Sequence, residues 1–385
     1  MRTLGIDLGT TNTVAAVTGQ VIPIPGTAAE DPILPSVIAY LPDGSVRLGG
    51  EARRRRPFDP RNTLASTKRV IGVPFGTERA RRFAEHHPAY RLVAGAEGHV
   101  GFETRAGVIT PVQVAERLLA RVVDAAAVES ATTNLVVTVP AAFGRGEREA
   151  TLVAARNAGF REPHTVDEPV ATAVAYLQRA NLRHAVVYDL GGGTFDVAVV
   201  DCSIRPFRVV GFGGDPYLGG DDIDHALAER VAARVLRESG WDLRTDPIAW
   251  ERLVDACEWA KVALADEPFT TISVAEVDDA APTGIATVTI SRDELVGLTL
   301  ELARKTFVHC DEALTMAGIH ARDVQAVFLA GGSSKLPGLK DLVGQYFGKR
   351  PRMDIDPMHV VAIGASLAAT RPELSVILQS GAYSV

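Results

Sequence analysis

The 385-residue sequence has only three cysteines and no long apolar run. Cys202, Cys257 and Cys310 lie far apart and form no CxxC pair, so neither a zinc site nor a disulfide framework is indicated. The apolar runs fall short of the ~18 residues of a membrane span, and none has the form of a signal peptide. These absences predict a protein of the reducing cytoplasm that does not associate with membranes.

An excess of positive charge and the common nucleotide-binding motifs are missing as well. The formal net charge is −7, which argues against a general nucleic-acid binder, and the four arginines at 53–56 are better explained as a solvated helix face. Neither a Walker A string nor GxGxxG occurs, so neither a P-loop nor a dinucleotide-binding fold is indicated. The chain has 385 residues, 46% of them hydrophobic, and is therefore long enough for two or more domains with sizeable cores.

The most informative stretch is residues 186–200, VVYDLGGGTFDVAVV. Two apolar runs rich in β-branched residues flank a glycine turn, and this pattern is typical of a β-hairpin. Three successive glycines leave backbone N–H groups uncovered, so a phosphate can approach them closely. Asp189 and Asp196, at the ends of the turn, would repel a phosphate unless a divalent cation, usually Mg²⁺ with most of its waters, lay between. An ordinary hairpin with a flexible tip is the plainer alternative.

A second copy of this pattern opens the chain and favours the phosphate interpretation. Residues 1–17 read MRTLGIDLGTTNTVAAV, and a shift of 182 positions places Asp7 on Asp189 and Gly9 on Gly191. Again an apolar run reaches an aspartate, turns through glycine and polar residues, and returns as an apolar run. Two such hairpins predict a duplicated fold that grips phosphates between its halves.

Other segments predict a mixed α/β chain. Residues 111–126 begin with a proline and repeat apolar side chains every four residues, as a helix does, and residues 135–139 form an apolar strand. The apolar strand at 324–330 ends in Gly331 and Gly332 and leads into a helix, whose N-terminus is a favourable place for negative charge. Strands that alternate with helices in this way are typical of α/β proteins.

Three motifs occur together along the chain: IDLGTTN near the start, DLGGGTFD in the middle and AGGSSKLPG near the end. In this order they resemble the ATPase (nucleotide-binding) domain of the DnaK-type, 70-kDa heat-shock chaperones, within the actin, sugar-kinase and heat-shock ATPase superfamily. The resemblance runs from Leu4 to about Ala369. It implies a two-lobed, actin-like ATPase fold of the α/β class: duplicated ribonuclease-H-like cores, each with a smaller subdomain, and a nucleotide in the central cleft.

The resemblance also implies a division of the chain, and the names lobe I and lobe II are used below for its two main ranges. The implied parts are lobe I (1–183, with a subdomain at about 37–109), lobe II (184–370, with a subdomain at about 224–297), a last helix at about 357–370 that packs back on lobe I, and a C-terminal tail at 371–385. The tail is too short for a peptide-binding domain. We therefore expect an ATPase domain without its own peptide-binding domain.

Roles for single residues follow from the same resemblance. Asp7 and Asp189 would hold Mg²⁺ through water, with Asp196 beside a monovalent cation such as K⁺. Lys68 would contact the γ-phosphate of ATP and the attacking water, and Glu168 would orient that water. The expected catalytic residues are Lys68, Glu168, Asp7, Asp189 and Thr194, and the expected metal-site residues are Asp7, Asp189 and Asp196.

The remaining expected contacts are to bound ATP or ADP. The phosphates would be lined by Gly9, Thr10, Thr11, Asn12, Gly191, Gly192, Gly193 and Thr194. The other expected nucleotide contacts are the glycine loops, with Gly219, Gly220, Gly331, Gly332 and Ser333, and the residues at the ribose and adenine, which are Glu258, Lys261 and Lys335. The activity implied is slow, Mg²⁺-dependent hydrolysis of ATP.

Several positions depart from the family pattern. Ala265 replaces a serine near adenine, Lys335 lacks the planar guanidinium of the family's arginine, and Met358 and His359 replace an acidic pair. These changes predict looser selection of adenine. Docking of the family's J-domain co-chaperone is not expected, because its surface is changed at Ala142, Gly144, Arg145, His164 and Asp167. Besides the nucleotide, the expected partner is a nucleotide-exchange factor or a separate peptide-binding protein.

Two other functions within the same superfamily are left open by the sequence. A small-molecule kinase would use Glu168 as a base toward a substrate hydroxyl, although no sugar-binding motif is recognised. An actin-like filament-forming ATPase is the other alternative. ATP turnover with and without a panel of sugars separates the ATPase from the kinase, and sedimentation with ATP tests for filaments.

Overall fold

The computed structural model describes residues 3–24, 32–87, 89–128, 133–177, 182–282, 287–368 and 370. Strands and helices alternate along these residues, as the sequence predicts for an α/β chain. The tail expected at 371–385 lies outside the described residues. None of the described helices is long and apolar enough to cross a membrane.

Within the described ranges the strands form five sheets. In chain order the strands are β1 (Thr3–Leu8), β2 (Asn12–Val17), β3 (Gln20–Val21), β4 (Leu34–Pro35), β5 (Ile38–Tyr40), β6 (Val46–Leu48), β7 (Thr63–Leu64), β8 (Leu92–Ala94), β9 (Val100–Thr104), β10 (Gly107–Ile109), β11 (Asn134–Val139), β12 (His164–Asp167), β13 (His184–Leu190), β14 (Phe195–Asp201), β15 (Arg208–Asp215), β16 (Phe269–Ser273), β17 (Thr287–Ser291) and β18 (Ala326–Ala330).

The helices have the caps that their sequences favour. Thr110 and Gln113 form a capping box at the start of the helix predicted at 111–126, and Ser291 and Glu294 form another. The helices are α1 (Gly50–Arg53), α2 (Glu78–His86), α3 (Pro111–Ala126), α4 (Arg145–Asn157), α5 (Glu168–Tyr176), α6 (Gly220–Ser239), α7 (Pro247–Ala263), α8 (Val274–Val277), α9 (Arg292–Ala317), α10 (Leu339–Phe347) and α11 (Val360–Ala368). Short 3₁₀ helices lie at Pro60–Asn62, Thr67–Val70, Ala96–Gly98, Ala321–Asp323 and Gly332–Lys335.

Two central sheets repeat one arrangement. The strand order is β12-β11-β1-β2-β3 in lobe I, with β4 paired to β2, and β15-β14-β13-β18 in lobe II. Each sheet contains an antiparallel hairpin with a glycine turn, β1–β2 or β13–β14. The first strand of each hairpin also pairs in parallel with a later strand, β1 with β11 and β13 with β18. The duplicated hairpins expected from the sequence are therefore present.

The register of these strands brings the aspartates to the turns. Asp7 is the second-last residue of β1 and pairs with Val14, and Asp189 is the second-last residue of β13 and pairs with Asp196. Asp189 also lies beside Ala330, the last residue of β18. The glycines that follow β18 therefore come to the same edge as the turn of lobe II.

Helices α5 and α11 share an apolar core with both central sheets. The core includes Val136 of β11, Ala171 of α5, Val187 of β13, Phe328 of β18 and Val361 of α11, all fully or almost fully buried. Burial of apolar surface stabilises such a contact by roughly 25 cal/mol per Å². One continuous apolar layer thus joins the two lobes.

The segments expected to be smaller subdomains contain elements of their own. Residues 37–109 hold two three-stranded sheets, β6-β5-β7 and β10-β9-β8, together with α1 and α2. Residues 224–297 hold most of α6, all of α7 and α8, and the β16–β17 hairpin. The boundaries between lobes and subdomains stay predictions.

Helix α11 approaches lobe I closely because two glycines leave room. A Cβ at Gly364 of α11 would overlap the backbone of Ala171 in α5, and a Cβ at Gly5 of β1 would overlap the backbone of Ser366 in α11. The Ser366 hydroxyl oxygen also accepts a hydrogen bond of 2.9 Å from the N–H of Gly19. These contacts fasten the last described helix to lobe I.

Replacement of Gly364 tests this close packing. Gly364→Ala should lower the free energy of unfolding by about 1–3 kcal/mol, because the added methyl group has no space beside Ala171. Gly297→Ala in α9 is the matched control, since Gly297 is exposed and nothing lies within 4 Å of its added Cβ. That change should be neutral or slightly stabilising. Urea unfolding followed by circular dichroism measures both variants, and equal effects would contradict the packing.

Candidate functional site

A cavity of about 500 Å³ lies where the glycine turns of the two central hairpins face each other. Its lining includes both apolar and polar residues, as is usual for a site that binds small molecules. Both lobes contribute to its lining, so the cavity is an inter-lobe cleft. The residues predicted for phosphate, metal and catalysis that line it are Asp7, Gly9, Thr10, Thr11, Asn12, Lys68, Glu168, Asp189, Gly191, Gly192, Thr194, Asp196, Gly331 and Gly332.

A buried ion pair stands in this cleft. Lys68 Nζ lies 2.7 Å from Glu168 Oε1, and the two side chains are only 8% and 11% exposed. Lys68 belongs to the 3₁₀ helix Thr67–Val70, whereas Glu168 is the first residue of α5, directly after β12. Pro169 suits the first turn of a helix, and the positive end of the helix dipole favours a carboxylate there.

Three aspartates lie in the cleft with this pair and carry raised pKa values. Burial, and then the charge of Glu168, raise the pKa of Asp7 to about 7, although Lys68 and a hydrogen bond from Thr138 Oγ1 of 3.0 Å oppose the shift. The same two causes raise the pKa of Asp196 to about 7. Burial, Glu168 and Asp7 also raise the pKa of Asp189 well above its usual value.

The cleft therefore holds more negative than positive charge, and a divalent cation would offset the excess. Carboxylate oxygens are the protein ligands that Mg²⁺ prefers, and Mg²⁺ commonly keeps several of its waters. The oxygens of Asp7 and Asp189 thus suit a hydrated Mg²⁺. Within the part of the chain that the structure describes, no group of three or more His, Cys, Asp or Glu side chains is placed to hold a metal ion directly.

Backbone groups of the two glycine turns complete this part of the cleft. The hydroxyl of Ser36 donates to the Gly9 carbonyl at 2.8 Å, and the N–H of Gly191 donates to the Thr194 carbonyl at 2.9 Å. A Cβ at Gly192 would press against the side chain of Thr11 in the opposite turn. The turns can approach each other this closely because Gly192 has no side chain, and turns of this kind bind anions through backbone N–H groups.

Three of the predicted glycines, Gly193, Gly219 and Gly220, do not line the cavity. The carbonyl of Gly193 accepts a hydrogen bond of 2.5 Å from Arg69 Nη2, and the N–H of Gly220 donates to the Gly191 carbonyl at 3.1 Å. Gly219 lies so close to the backbone of the lobe II turn that a Cβ would overlap it. Gly219 and Gly220 thus contact the turn of lobe II, and Gly193 of the same turn contacts Arg69.

The residues predicted at the ribose and adenine are also outside the cavity lining, and ion pairs engage them. Ser333 is buried beside Gly220. The ion pairs are Glu258 with Arg53, Lys261 with Asp224 at 2.6 Å, and Lys335 with Asp356 at 2.9 Å. The structure thus brings together the phosphate half of the predicted site apart from Gly193, whereas the charged residues of its adenosine half form ion pairs with other residues of this chain.

Sequence reasoning missed several residues of the cleft. Arg69, Arg79 and Phe143 line it, and Thr138 hydrogen-bonds to Asp7. A signal existed for Thr138, which is the one hydroxyl in the apolar run 135–139, and for Arg69, which directly follows Lys68. Arg79 and Phe143 gave no such signal, because only the folded chain brings them to the cleft.

A second, partly buried ion pair lies next to Glu168. Arg148 Nη1 is 2.6 Å from Asp167 Oδ1, and Arg148 Nε donates to the carbonyl of Phe143 at 2.7 Å. Burial raises the pKa of Asp167, and Arg148 opposes that rise. The pair ties the segment after β11 to the residue that precedes the predicted catalytic carboxylate.

The comparisons with known proteins agree on one family. The model of the family described as "Hsp70 protein" matches residues 3–373. The chain is also 35% identical over 378 residues to the "Chaperone protein DnaK" of Stenotrophomonas maltophilia (strain R551-3). This alignment covers 95% of the chain but 59% of that relative, so the chain spans less than two thirds of the relative's length.

The family match extends over nearly all of the sequence, including every predicted site residue. It confirms the actin-like α/β ATPase fold that the motifs imply, and the sheets and helices described above agree with it. The three motifs, the duplicated hairpins and this match together establish that the chain belongs to the Hsp70 family.

Proposed function

We propose that this chain binds ATP or ADP with Mg²⁺ and hydrolyses ATP slowly. The observation that carries the proposal is the buried pair of Lys68 and Glu168 among three aspartates, in a cleft lined by two glycine turns. Membership of the Hsp70 family supports it, because ATP hydrolysis is the activity that the family resemblance implies.

The protein groups in the cleft suit phosphoryl transfer to water. This reaction depends on positioning and charge stabilisation more than on covalent chemistry. Lys68 would neutralise charge that develops on the γ-phosphate, and Glu168 would orient the attacking water. Backbone N–H groups of the glycine turns and the hydroxyls of Thr10, Thr11 and Thr194 would donate to phosphate oxygens.

The charges of the cleft fit this assignment. Burial acts to lower the pKa of Lys68, but the Glu168 and Asp7 carboxylates outweigh it and raise that pKa, so the lysine keeps its proton. Asp7 and Asp189 would hold Mg²⁺ through water, and Asp196 would lie beside a monovalent cation such as K⁺. Bound Mg²⁺ supplies charge neutralisation and orientation of the phosphate chain.

The alternatives within the superfamily have less support. The Hsp70 family match over residues 3–373 favours a chaperone-type ATPase over a small-molecule kinase or a filament-forming protein. Addition of a sugar panel to an ATP turnover assay tests this preference, because acceleration by a sugar would favour the kinase.

For partners, we propose a nucleotide-exchange factor or a separate peptide-binding protein. The surface at which the family docks a J-domain lacks the expected side chains, since Ala142, Gly144 and Arg145 are exposed in their place. Asp167, on the same surface, is held by Arg148. A contact between like charges slows association with that partner and disfavours its binding relative to other partners.

Replacement of Lys68 tests the catalytic assignment. Lys68→Ala should slow single-turnover ATP hydrolysis about 10²–10³-fold, because one transition-state donor is lost, while nucleotide binding survives. Exposed Lys349 provides the charge-matched control, and Lys349→Ala should hydrolyse ATP like wild type. Calorimetric binding of nucleotide shows that each variant is folded. Wild-type hydrolysis by Lys68→Ala would contradict the role of this lysine.

Base selection tests the departures near adenine. Ala265 offers no hydroxyl hydrogen bond, commonly worth ~1 kcal/mol, and Lys335 lacks the planar guanidinium and is paired with Asp356. ATP should therefore be preferred over GTP by less than roughly 10³-fold, or about 4 kcal/mol, in competition calorimetry. Ala265→Ser with Lys335→Arg should increase the preference, and Lys349→Arg should not. A stronger preference in wild type would mean that another side chain supplies the contact.

The J-domain surface gives a further expected result. A saturating J-domain protein should leave single-turnover hydrolysis unchanged within about twofold, because Arg145 repels the positive helix that this co-chaperone presents. Arg145→Asp alone should restore little, since contacts at Ala142 and Gly144 remain absent. Clear stimulation of the wild-type chain would place the docking surface elsewhere.

A further inference from the structure

A second cation of the cleft, Arg69, has no role in the proposed chemistry. It directly follows Lys68 in the 3₁₀ helix Thr67–Val70, yet its side chain crosses to lobe II, where Nη2 donates to the Gly193 carbonyl at 2.5 Å. The side chain is only 6% exposed, so this charge is almost fully removed from water. Burial of a guanidinium is unfavourable unless its partners are well placed.

Three residues of lobe II, Gly193, Tyr217 and Asp221, surround the Arg69 guanidinium. The Tyr217 ring lies 5.0 Å from the guanidinium carbon, and Asp221 Oδ2 lies 4.0 Å from Nη2. A Cβ at Gly193 would overlap the guanidinium, so the contact requires a glycine there. The N–H of Asp221 donates to the carbonyl of Gly192 at 2.5 Å, and this hydrogen bond links Asp221 to the phosphate-binding turn.

Residues of lobe I also contact Arg69. Its carbonyl accepts a hydrogen bond of 3.0 Å from Arg79 Nε, and its Nη1 lies 3.3 Å from Nε2 of His87. Burial, and then the charge of Arg69, lower the pKa of His87 to about 3, so that the ring is neutral and can accept this bond. His86 extends the same contact across the cleft, because its ring stacks on Tyr217 at 4.1 Å.

We propose that Arg69 is a positioning residue that keeps the phosphate-binding turn of lobe II aligned with Lys68. The contacts of Arg69 with lobe II must break before nucleotide leaves. The inference rests on the proposed nucleotide binding. The contacts of Arg69 with Gly193 and Tyr217 across the cleft are called the bridge below. Lys68 and Arg69 share one turn of backbone, so the catalytic lysine and the bridge move together. Separation of the lobes would break the Gly193 and Tyr217 contacts at once, and their loss would shift the phosphate turn away from the lysine.

Release of nucleotide measures the bridge directly. Stopped-flow release of a fluorescent ADP analogue should be at least tenfold faster from Arg69→Ala than from wild type, since a hydrogen bond from a charged donor is lost. Single-turnover ATP hydrolysis should be at least tenfold slower, because Lys68 loses its register. Arg69→Lys retains the charge and a donor, so it should recover part of both rates.

Two controls separate the bridge from a general effect of charge. Arg81→Ala removes an exposed arginine that pairs with Glu78 on its own helix, and it should leave both rates unchanged. Tyr217→Phe keeps the ring against Arg69 and should also behave like wild type. Tyr217→Ala removes the ring from the lobe II side and should speed release in the same direction as Arg69→Ala, and it tests the bridge if Arg69→Ala fails to fold.

Three results would overturn the inference. One is wild-type release and hydrolysis by Arg69→Ala. Another is a loss of thermal stability in Arg69→Ala without a change in either rate, which would make the residue purely structural. The third is unchanged release from Tyr217→Ala. Binding of the analogue by the wild-type chain tests the proposed function separately, so a chain that binds nucleotide with these results would overturn the bridge alone.

Discussion

The buried ion pair of Lys68 and Glu168 is the interaction on which the rest of the cleft depends. Three aspartates share its surroundings, and burial together with the charge of Glu168 raises their pKa values. Removal of one partner from such a pair leaves a buried charge without compensation, which typically costs 3–5 kcal/mol. The lysine therefore offsets part of the negative charge of the carboxylates in the folded chain, and we propose that it also contacts a phosphate.

The fold could be predicted from the sequence because its main signal is local and occurs twice. A β-branched run, an aspartate and a glycine turn near Asp7, repeated at Asp189, indicate two hairpins, and both are present in parallel contact with a later strand. The packing of α11 on lobe I was expected only from the family resemblance, because no local sequence pattern indicates it. It depends on the absence of a Cβ at Gly5 and Gly364, and this matters only once distant elements meet.

More of the candidate site could be predicted from the sequence in its phosphate half than in its adenosine half. The aspartates and glycine turns of the phosphate half follow from motifs whose spacing places carboxylates and bare backbone together, whereas Lys68 and Glu168 follow from the family resemblance. Apart from Gly193, these residues line one cleft. The adenosine half consists of single charged residues such as Glu258 and Lys335, and the sequence does not reveal that Arg53 and Asp356 engage them. Their pairing depends on long-range geometry, as does the reach of Arg69 to Gly193.

We propose that the cleft between the lobes hydrolyses ATP with Mg²⁺. A direct test is single-turnover release of phosphate from ATP by the purified wild-type chain, measured with Mg²⁺ present and with the metal chelated. One phosphate should be released per bound ATP, slowly, and only when Mg²⁺ is present. A chain that binds no nucleotide, or that releases phosphate equally well without the metal, would contradict it.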